Sequence, residues 1–176
     1  MVFIKKMINK KKNKIAVIGL GYVGLPLAVE FSKKLEVVGY DYNSERINEL
    51  KTSYDRTNEI KNKNLLRNAN LSFTSKLSDV ANSNIFIVAV PTPVNKKKEP
   101  DLSLLKKACK SIGKFLKKND IVIFESTVYP GTTEEVCVPI LEKISSLTFN
   151  DDFYCGYSPE RIDPGKSKYK FFSLGR

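Results

Sequence analysis

The segment KIAVIG at residues 14–19 runs straight into GLGYVG at residues 19–24. Beyond Lys14 the first run is apolar without polar alternation, the pattern of a short strand buried on both faces. Glycines at positions 19, 21 and 24 then close that strand and open a helix. Gly19 allows a tight turn, Gly21 lets the backbone come close to a ligand, and Gly24 lets the helix pack against the strand. A lone Gly-x-Gly-x-x-Gly is weak evidence, but here it stands between a strand and a helix, the setting in which it binds a dinucleotide.

The rest of the chain repeats the strand–helix alternation. The pattern predicts a helix over 22–35, with Leu25, Ala28, Val29, Phe31 and Ser32 on one apolar or small face, and a second strand over 36–41. Ser44 is the expected cap of a helix carrying Ile47 and Leu50, and another helix is expected over 57–68. Strands follow at 71–74, 84–90, 120–125 and 153–157. Between them lie a helix from an Asp101 cap to about Leu116 and another over 132–144. Such alternation means α/β architecture: a doubly wound parallel sheet with right-handed crossovers. Six strands fit the order 3-2-1-4-5-6 of a Rossmann-type domain. The expected organisation is a basic tail at 1–13, the domain at 14–165 and a second basic tail at 166–176, with a charged surface loop at 95–100.

The charge follows that division. The net charge is +11, yet residues 1–14 carry six lysines and residues 166–176 carry three lysines and Arg176, leaving +1 for the body. Basic ends of this kind read as solvated termini rather than a specific nucleic-acid surface, and no Arg/aromatic interleaving supports base stacking. With no histidine in the chain, Ser-His-Asp catalysis and His-ligated metal sites are excluded. Cys109, Cys137 and Cys155 are odd in number and widely spaced, so neither a disulfide framework nor a zinc site is expected, and a reducing cytoplasm fits. No apolar run approaches the roughly 18–20 residues of a membrane span, and the N-terminus lacks the apolar core of a signal peptide.

Asp41 ends the second strand 22 residues after Gly19, where a carboxylate accepts hydrogen bonds from the adenosine ribose. A 2′-phosphate there would meet a like charge, which favours NAD over NADP. Arg46 is open to three uses: flanking the adenine, pairing with Asp41 or admitting a 2′-phosphate. Three further segments follow strands at the carboxyl edge, where ligands bind in such sheets. Thr92 lies in the stiff VPTP run at 90–93, Thr127 in EST at 125–127, and SPERIDPG at 158–165 brings a carboxylate and a guanidinium to the crevice mouth. Each alone is as readily structural as functional; their joint placement on one edge is not.

With these segments in hand, the chain resembles the UDP-glucose/GDP-mannose dehydrogenase family from Lys14 to Gly165. GLGYVGLPLA, YDRTNE, AVPTP, PDLS, ESTVYPGTTEE and GYSPERIDPG occur in the family's order and spacing. SPERIDPG resembles the branch that oxidises UDP-N-acetylhexosamines, and the whole is most similar to dehydrogenases of Vi-antigen and capsule biosynthesis. The resemblance implies two successive hydride transfers to NAD, taking the sugar C6 alcohol through an aldehyde to a carboxylate. A cysteine holds the second stage as a thiohemiacetal and then a thioester. It also implies that Tyr22, Val23, Asp41, Arg46, Thr92 and Thr127 contact NAD, beside Gly19, Gly21 and Gly24. Thr127 would sit by the nicotinamide, Glu160 would assist water or proton transfer near C6, and Arg161 and Ile162 would contact the substrate. Pro164 stands where the glucose branch has a second glutamate and receives no acid–base role.

The family's nucleophilic cysteine, lysine and asparagine belong to a later part of its sequence. The expectation is a chain that binds NAD without completing the oxidation, its C-terminal half supplied in cis or in trans, as in the family's homodimers. Cys109, Cys137 and Cys155 are expected to be small core residues. The rival readings are a stand-alone NAD-binding or regulatory module, and a non-functional remnant with Phe171 and Phe172 exposed.

Overall fold

The computed structural model describes residues 13–94 and 100–158. The charged stretch 95–99, the tails at 1–12 and 166–176, and SPERIDPG beyond Ser158 lie outside the described residues.

Six parallel strands form one sheet in the order β3-β2-β1-β4-β5-β6. They are β1 (Lys14–Ile18), β2 (Glu36–Tyr40), β3 (Leu71–Thr74), β4 (Ile85–Val88), β5 (Ile121–Phe124) and β6 (Tyr154–Tyr157). This is the expected doubly wound order. The register holds the carboxyl ends level: Ile18 pairs with both Tyr40 and Val88, Val88 with Phe124, and Phe124 with Tyr157. Gly19, Asp41, Ala89, Glu125 and Ser158, the next residue in each case, therefore share one edge. The ladder runs one bond further there, with Gly19 N–H donating to Tyr40 O at 2.8 Å and Glu125 N–H to Val88 O at 2.9 Å.

Successive side chains of each strand enter different cores, because a strand alternates faces. Ala16, Ile18, Phe86, Val88, Val122 and Phe124 face α3 (Ser103–Gly113) and α4 (Val138–Ser145) through Leu105, Cys109, Ile112 and Leu141. Ile15, Val17, Val37, Phe73 and Ile87 face α1 (Gly24–Ser32) and α2 (Ser44–Lys51) through Leu25, Ala28, Ile47 and Leu50. Full burial of one such side chain contributes about 1.5–3 kcal/mol, so both layers are anchored hydrophobically.

The departures from the sequence expectations have local causes. The helix expected over 57–68 is only a 3-10 turn at Lys63–Arg67. Upstream, the Asp55 carboxylate captures the N–H groups of Thr57, Glu59 and Ile60, and Asn58 adopts φ 56°. A carboxylate offering acceptors to consecutive N–H groups competes with helix formation. Asn43, not Ser44, caps α2, its Oδ1 accepting from Glu45 N and Arg46 N. Asp101 accepts from Ser103 N at 2.8 Å, but Leu102 is the cap residue of α3, which ends at Gly113 rather than Leu116. The helix expected over 132–144 opens as a π-helical turn, Thr133–Cys137, before α4 begins. Pro139 has no N–H to bond back to Glu135, so a regular α ladder cannot run through this point.

Asp120 introduces β5 at the amino edge, away from the cleft. It is buried, and its carboxylate accepts from Lys117 N at 2.8 Å. Burial pushes its carboxyl up from 3.8 to about 6. Between those values the folded chain holds more protons on this group than the unfolded chain, so its contribution to stability falls as pH rises through that window. Asp120→Asn keeps the carbonyl acceptor. It should raise the unfolding midpoint at pH 7 and flatten the decline between about pH 4 and 6, measured by thermal unfolding across pH.

Candidate functional site

The carboxyl edge opens into a cleft of about 750 Å³, lined by the glycine loop, the ends of β2, β4 and β5, and one face of α3. The glycine loop shows why three positions lack side chains. Gly19 has φ 95°, and a Cβ there would lie 2.8 Å from Ala89 O. At Gly24 a Cβ would sit 1.8 Å from Gly19 O, so helix α1 packs against the backbone itself. At Gly21 a Cβ would meet nothing within 4 Å, which leaves a bare stretch of backbone facing the cleft. In the first turn of α1 Leu25 N already donates to Gly21 O at 3.2 Å and Pro26 has no N–H, so the donors left for a ligand are those of the turn before it, where the helix dipole presents positive charge. Tyr22 is exposed, Val23 half-buried, and both line the cleft.

Asp41 locks this loop to β2. Its Oδ2 accepts from Leu20 N and its Oδ1 from Asn43 N, each at 2.9 Å. One bond on each oxygen fixes the carboxylate and leaves further acceptor capacity on both. Burial, followed by the Asp41 charge, raises the Tyr40 hydroxyl above its ordinary range.

Arg46 is neither solvated nor paired with Asp41. Its side chain is 6% exposed and its Nη2 lies 2.7 Å from Asp55 Oδ1, itself on a side chain 3% exposed. Its Nε donates to Leu20 O at 3.0 Å. Nη1 stands 3.6 Å from Glu49 and has no hydrogen-bond partner among the described residues. Asp55 is pushed up by burial, but hydrogen bonds from the Thr57 hydroxyl, Ile60 N, Arg46 and Thr57 N outweigh this and hold it below the usual carboxylate range. Sequence reading missed Asp55 as the partner of Arg46. The signal was present in its position ahead of a run of free N–H groups, at Asx-turn spacing.

On the other wall, the loops after β4 and β5 are stitched together. Thr92 Oγ1 donates to Thr127 O at 2.5 Å, and Ser126 Oγ donates to Val90 O at 2.6 Å. Thr92 and Thr127 thus meet on one wall of the cleft, which Gly19, Gly21, Asp41 and Arg46 also line. Tyr42, Arg56, Thr57 and Lys107 also line it; Arg56 and Thr57 lie in the YDRTNE segment, and the sequence pattern gave none of the four a role. Glu160, Arg161 and Ile162 lie outside the described residues. Among the described residues no Cys, Asp or Glu cluster suited to a metal ion occurs, and no helix is long and apolar enough to cross a membrane.

These features fit a dinucleotide: bare backbone at Gly21, a helix N-terminus, a fixed carboxylate with spare acceptor capacity, and a buried Arg46 nitrogen lacking a partner. Gly21→Ala should leave ligand-free thermal unfolding within about 0.5 kcal/mol of the parent and weaken dinucleotide binding at least about tenfold. Gly24→Ala should cost about 3 kcal/mol or more in stability, because the added methyl overlaps a backbone carbonyl. Calorimetric titration and denaturant unfolding of the two variants separate these effects.

Comparison with known proteins agrees with this geometry. Residues 13–176 match the UDP-glucose/GDP-mannose dehydrogenase family, NAD binding domain. UDP-N-acetyl-D-glucosamine 6-dehydrogenase of Pseudomonas aeruginosa is 58% identical over 93% of this chain and 39% of its own length. Protein CapL of Staphylococcus aureus is 54% identical over 91% of this chain and 38% of its own. The structure of the UDP-D-ManNAc dehydrogenase of Pyrococcus horikoshii superposes with a TM-score of 0.81 at 38% identity, over 86% of this chain and 37% of that one. The chain thus spans less than 40% of the length of these relatives. A cleft fit for a dinucleotide agrees with a match over most of the sequence: this chain belongs to the UDP-glucose/GDP-mannose dehydrogenase family, as its NAD-binding domain.

Proposed function

We propose that this chain is the NAD-binding half of a nucleotide-sugar 6-dehydrogenase that converts the C6 alcohol of a UDP-N-acetylhexosamine to a carboxylate with two NAD, in surface polysaccharide biosynthesis in the cytoplasm. The observation that carries this is a cleft fit for a dinucleotide in a chain that is 58% and 53% identical, over most of its length, to relatives named UDP-N-acetyl-D-glucosamine 6-dehydrogenase. When bound, NAD supplies the hydride acceptor. The chain's own residues bind and orient it. Backbone N–H groups around Gly19, Gly21, Tyr22, Val23 and Gly24 hold the pyrophosphate. Asp41 accepts from the ribose hydroxyls, and Arg46 offers Nη1 to the adenosine end. Thr92 and Thr127 flank the nicotinamide end, where Thr127 orients the reacting group. Glu160 moves a proton or positions water near C6, and Arg161 and Ile162 contact the sugar.

The second oxidation needs a thiolate, and the chain's own cysteines are poor candidates. Cys109 and Cys137 are buried in the core, and Cys155 is pushed up to about 12 by burial and then by neighbouring charge. The nucleophile therefore comes from the rest of the enzyme, in cis or in trans, within the homodimer typical of the family.

Purified chain should gain roughly 2.7 kcal/mol of stability at ~100 times the NAD dissociation constant, with a smaller gain from NADP at equal concentration. Asp41→Ala should abolish the NAD shift. No NADH should accumulate from UDP-N-acetylglucosamine and NAD with this chain alone, followed at the NADH absorbance. Sustained release of two NADH per sugar would refute the incompleteness.

A further inference from the structure

The outer side of α3 is basic along its length. From Ser103 to Lys118 the sequence has six lysines and no acid, so the net charge of +1 over residues 15–165 divides into +6 here and −5 elsewhere. Lys106, Lys107, Lys110 and Lys114 are all exposed. At intervals of three and four they share one side of the helix, away from buried Leu105, Cys109 and Ile112. None of them forms an ion pair among the described residues; Lys117 and Lys118, beyond the helix, are the lysines that reach Asp120 and Asp152. Asp101 stands near Lys106, but its carboxylate accepts from Ser103 N. The helix dipole does not account for the pattern, because Lys106 and Lys107 lie toward the N-terminal end, where positive charge is disfavoured. Lysines four apart also repel one another. Lys107 turns to the cleft side, over the Tyr42 ring, which leaves Lys106, Lys110 and Lys114 as an outward ridge about 12 Å long.

Beside this ridge α4 presents Ile144, 39% exposed. The two helices touch at Gly113, where an added Cβ would lie 2.9 Å from Ile144 Cβ. Lys143 is exposed next to it, while the Glu142 carboxylate accepts from Phe149 N. We propose that this side of α3 and α4 docks on an anionic phospholipid surface, with Lys106, Lys110, Lys114 and Lys143 over the headgroups and Ile144 at the interface. Lysine ammonium groups suit diffuse attraction to many phosphates, whereas a single phosphate calls for the arginine fork. Neither helix carries an arginine or an aromatic ring, which argues against a nucleic acid. Lysine is depleted from protein–protein interfaces, which argues against a protein partner. A bare aliphatic side chain among lysines is instead the composition of a helix lying on a headgroup layer. None of these five residues lines the cleft, so docking leaves the dinucleotide site open.

The test is co-sedimentation of the full chain with vesicles of phosphatidylcholine alone and of phosphatidylcholine mixed with phosphatidylglycerol. The parent should bind the mixed vesicles, ignore the neutral ones, and release as salt rises. Replacing Lys106, Lys110 and Lys114 together by glutamine should lower partitioning about a hundredfold, since each lysine near an anionic surface strengthens binding about fivefold. Ile144→Ser should lower it further. Ligand-free thermal unfolding and calorimetric NAD binding of these variants should match the parent. A variant with glutamine for every lysine of residues 1–12 and 166–176 controls for the basic ends and should keep the dependence on the three α3 lysines. If that dependence is lost with the ends, or if the α3 triple variant binds like the parent, the proposal is overturned. A parent that ignores the mixed vesicles overturns it, and binding of polyglutamate or duplex DNA in their place would assign the ridge to an acidic protein or a nucleic acid.

Discussion

The register of the parallel ladders is the constraint on which the cleft depends. A one-residue slip in a strand exchanges its two faces, and both faces here are buried, so slippage would drive every apolar side chain of that strand into the wrong layer. With the register fixed by the two cores, the chain leaves β1, β2, β4 and β5 at one level. Gly19, Asp41, Ala89 and Glu125 meet there without any contact among them having to be specified separately. The local bonds then only refine a placement the sheet has already made: Asp41 to Leu20 N, and Ser126 to Val90 O.

The floor of the adenosine end is a different kind of structure, held by charge rather than by apolar packing. Arg46 reaches across to Leu20 O and Asp55, and Asp55 in turn gathers four groups of its own loop. A buried ion pair of this sort contributes little net stability, but removal of either partner strands the other at several kcal/mol, roughly 3–5. It specifies one arrangement of α2, the glycine loop and the 54–60 segment. That arrangement also brings Arg56 and Thr57 to the cleft wall.

Much of this was legible in the sequence because parallel strands between two helix layers are apolar throughout. IFIV and IVIF leave little choice of structure, and β3 falls on Leu71–Thr74 as read. Helix ends were less legible, since they depend on which side chain reaches the first N–H groups; Asn43 and Ser44 are both good caps, and geometry chose Asn43. The segment after Asp55 carries helix-compatible residues, yet one carboxylate bends it into a loop. Arg46 on its own gives no sign of burial, because its partner lies nine residues away beyond the end of α2. That the glycine loop, Asp41, Thr92 and Thr127 line one cleft was legible because each follows a strand. Tyr42 and Lys107 were not, since an exposed tyrosine and a lysine on an amphipathic helix look like ordinary surface.

The sheet also works as a partition. Of the buried side chains, those on one face share no member with those on the other. Damage on opposite faces should therefore accumulate independently, as it does for distant sites without common neighbours. The glycine loop belongs to the layer built on α1 and α2, whereas the layer built on α3 and α4 lies across the wall from it. Change in the second layer can be absorbed there by repacking, with little disturbance of the phosphate-facing turn. What the two layers share is the cleft itself, which also takes Leu104, Lys107, Ala108 and Ser111 from α3.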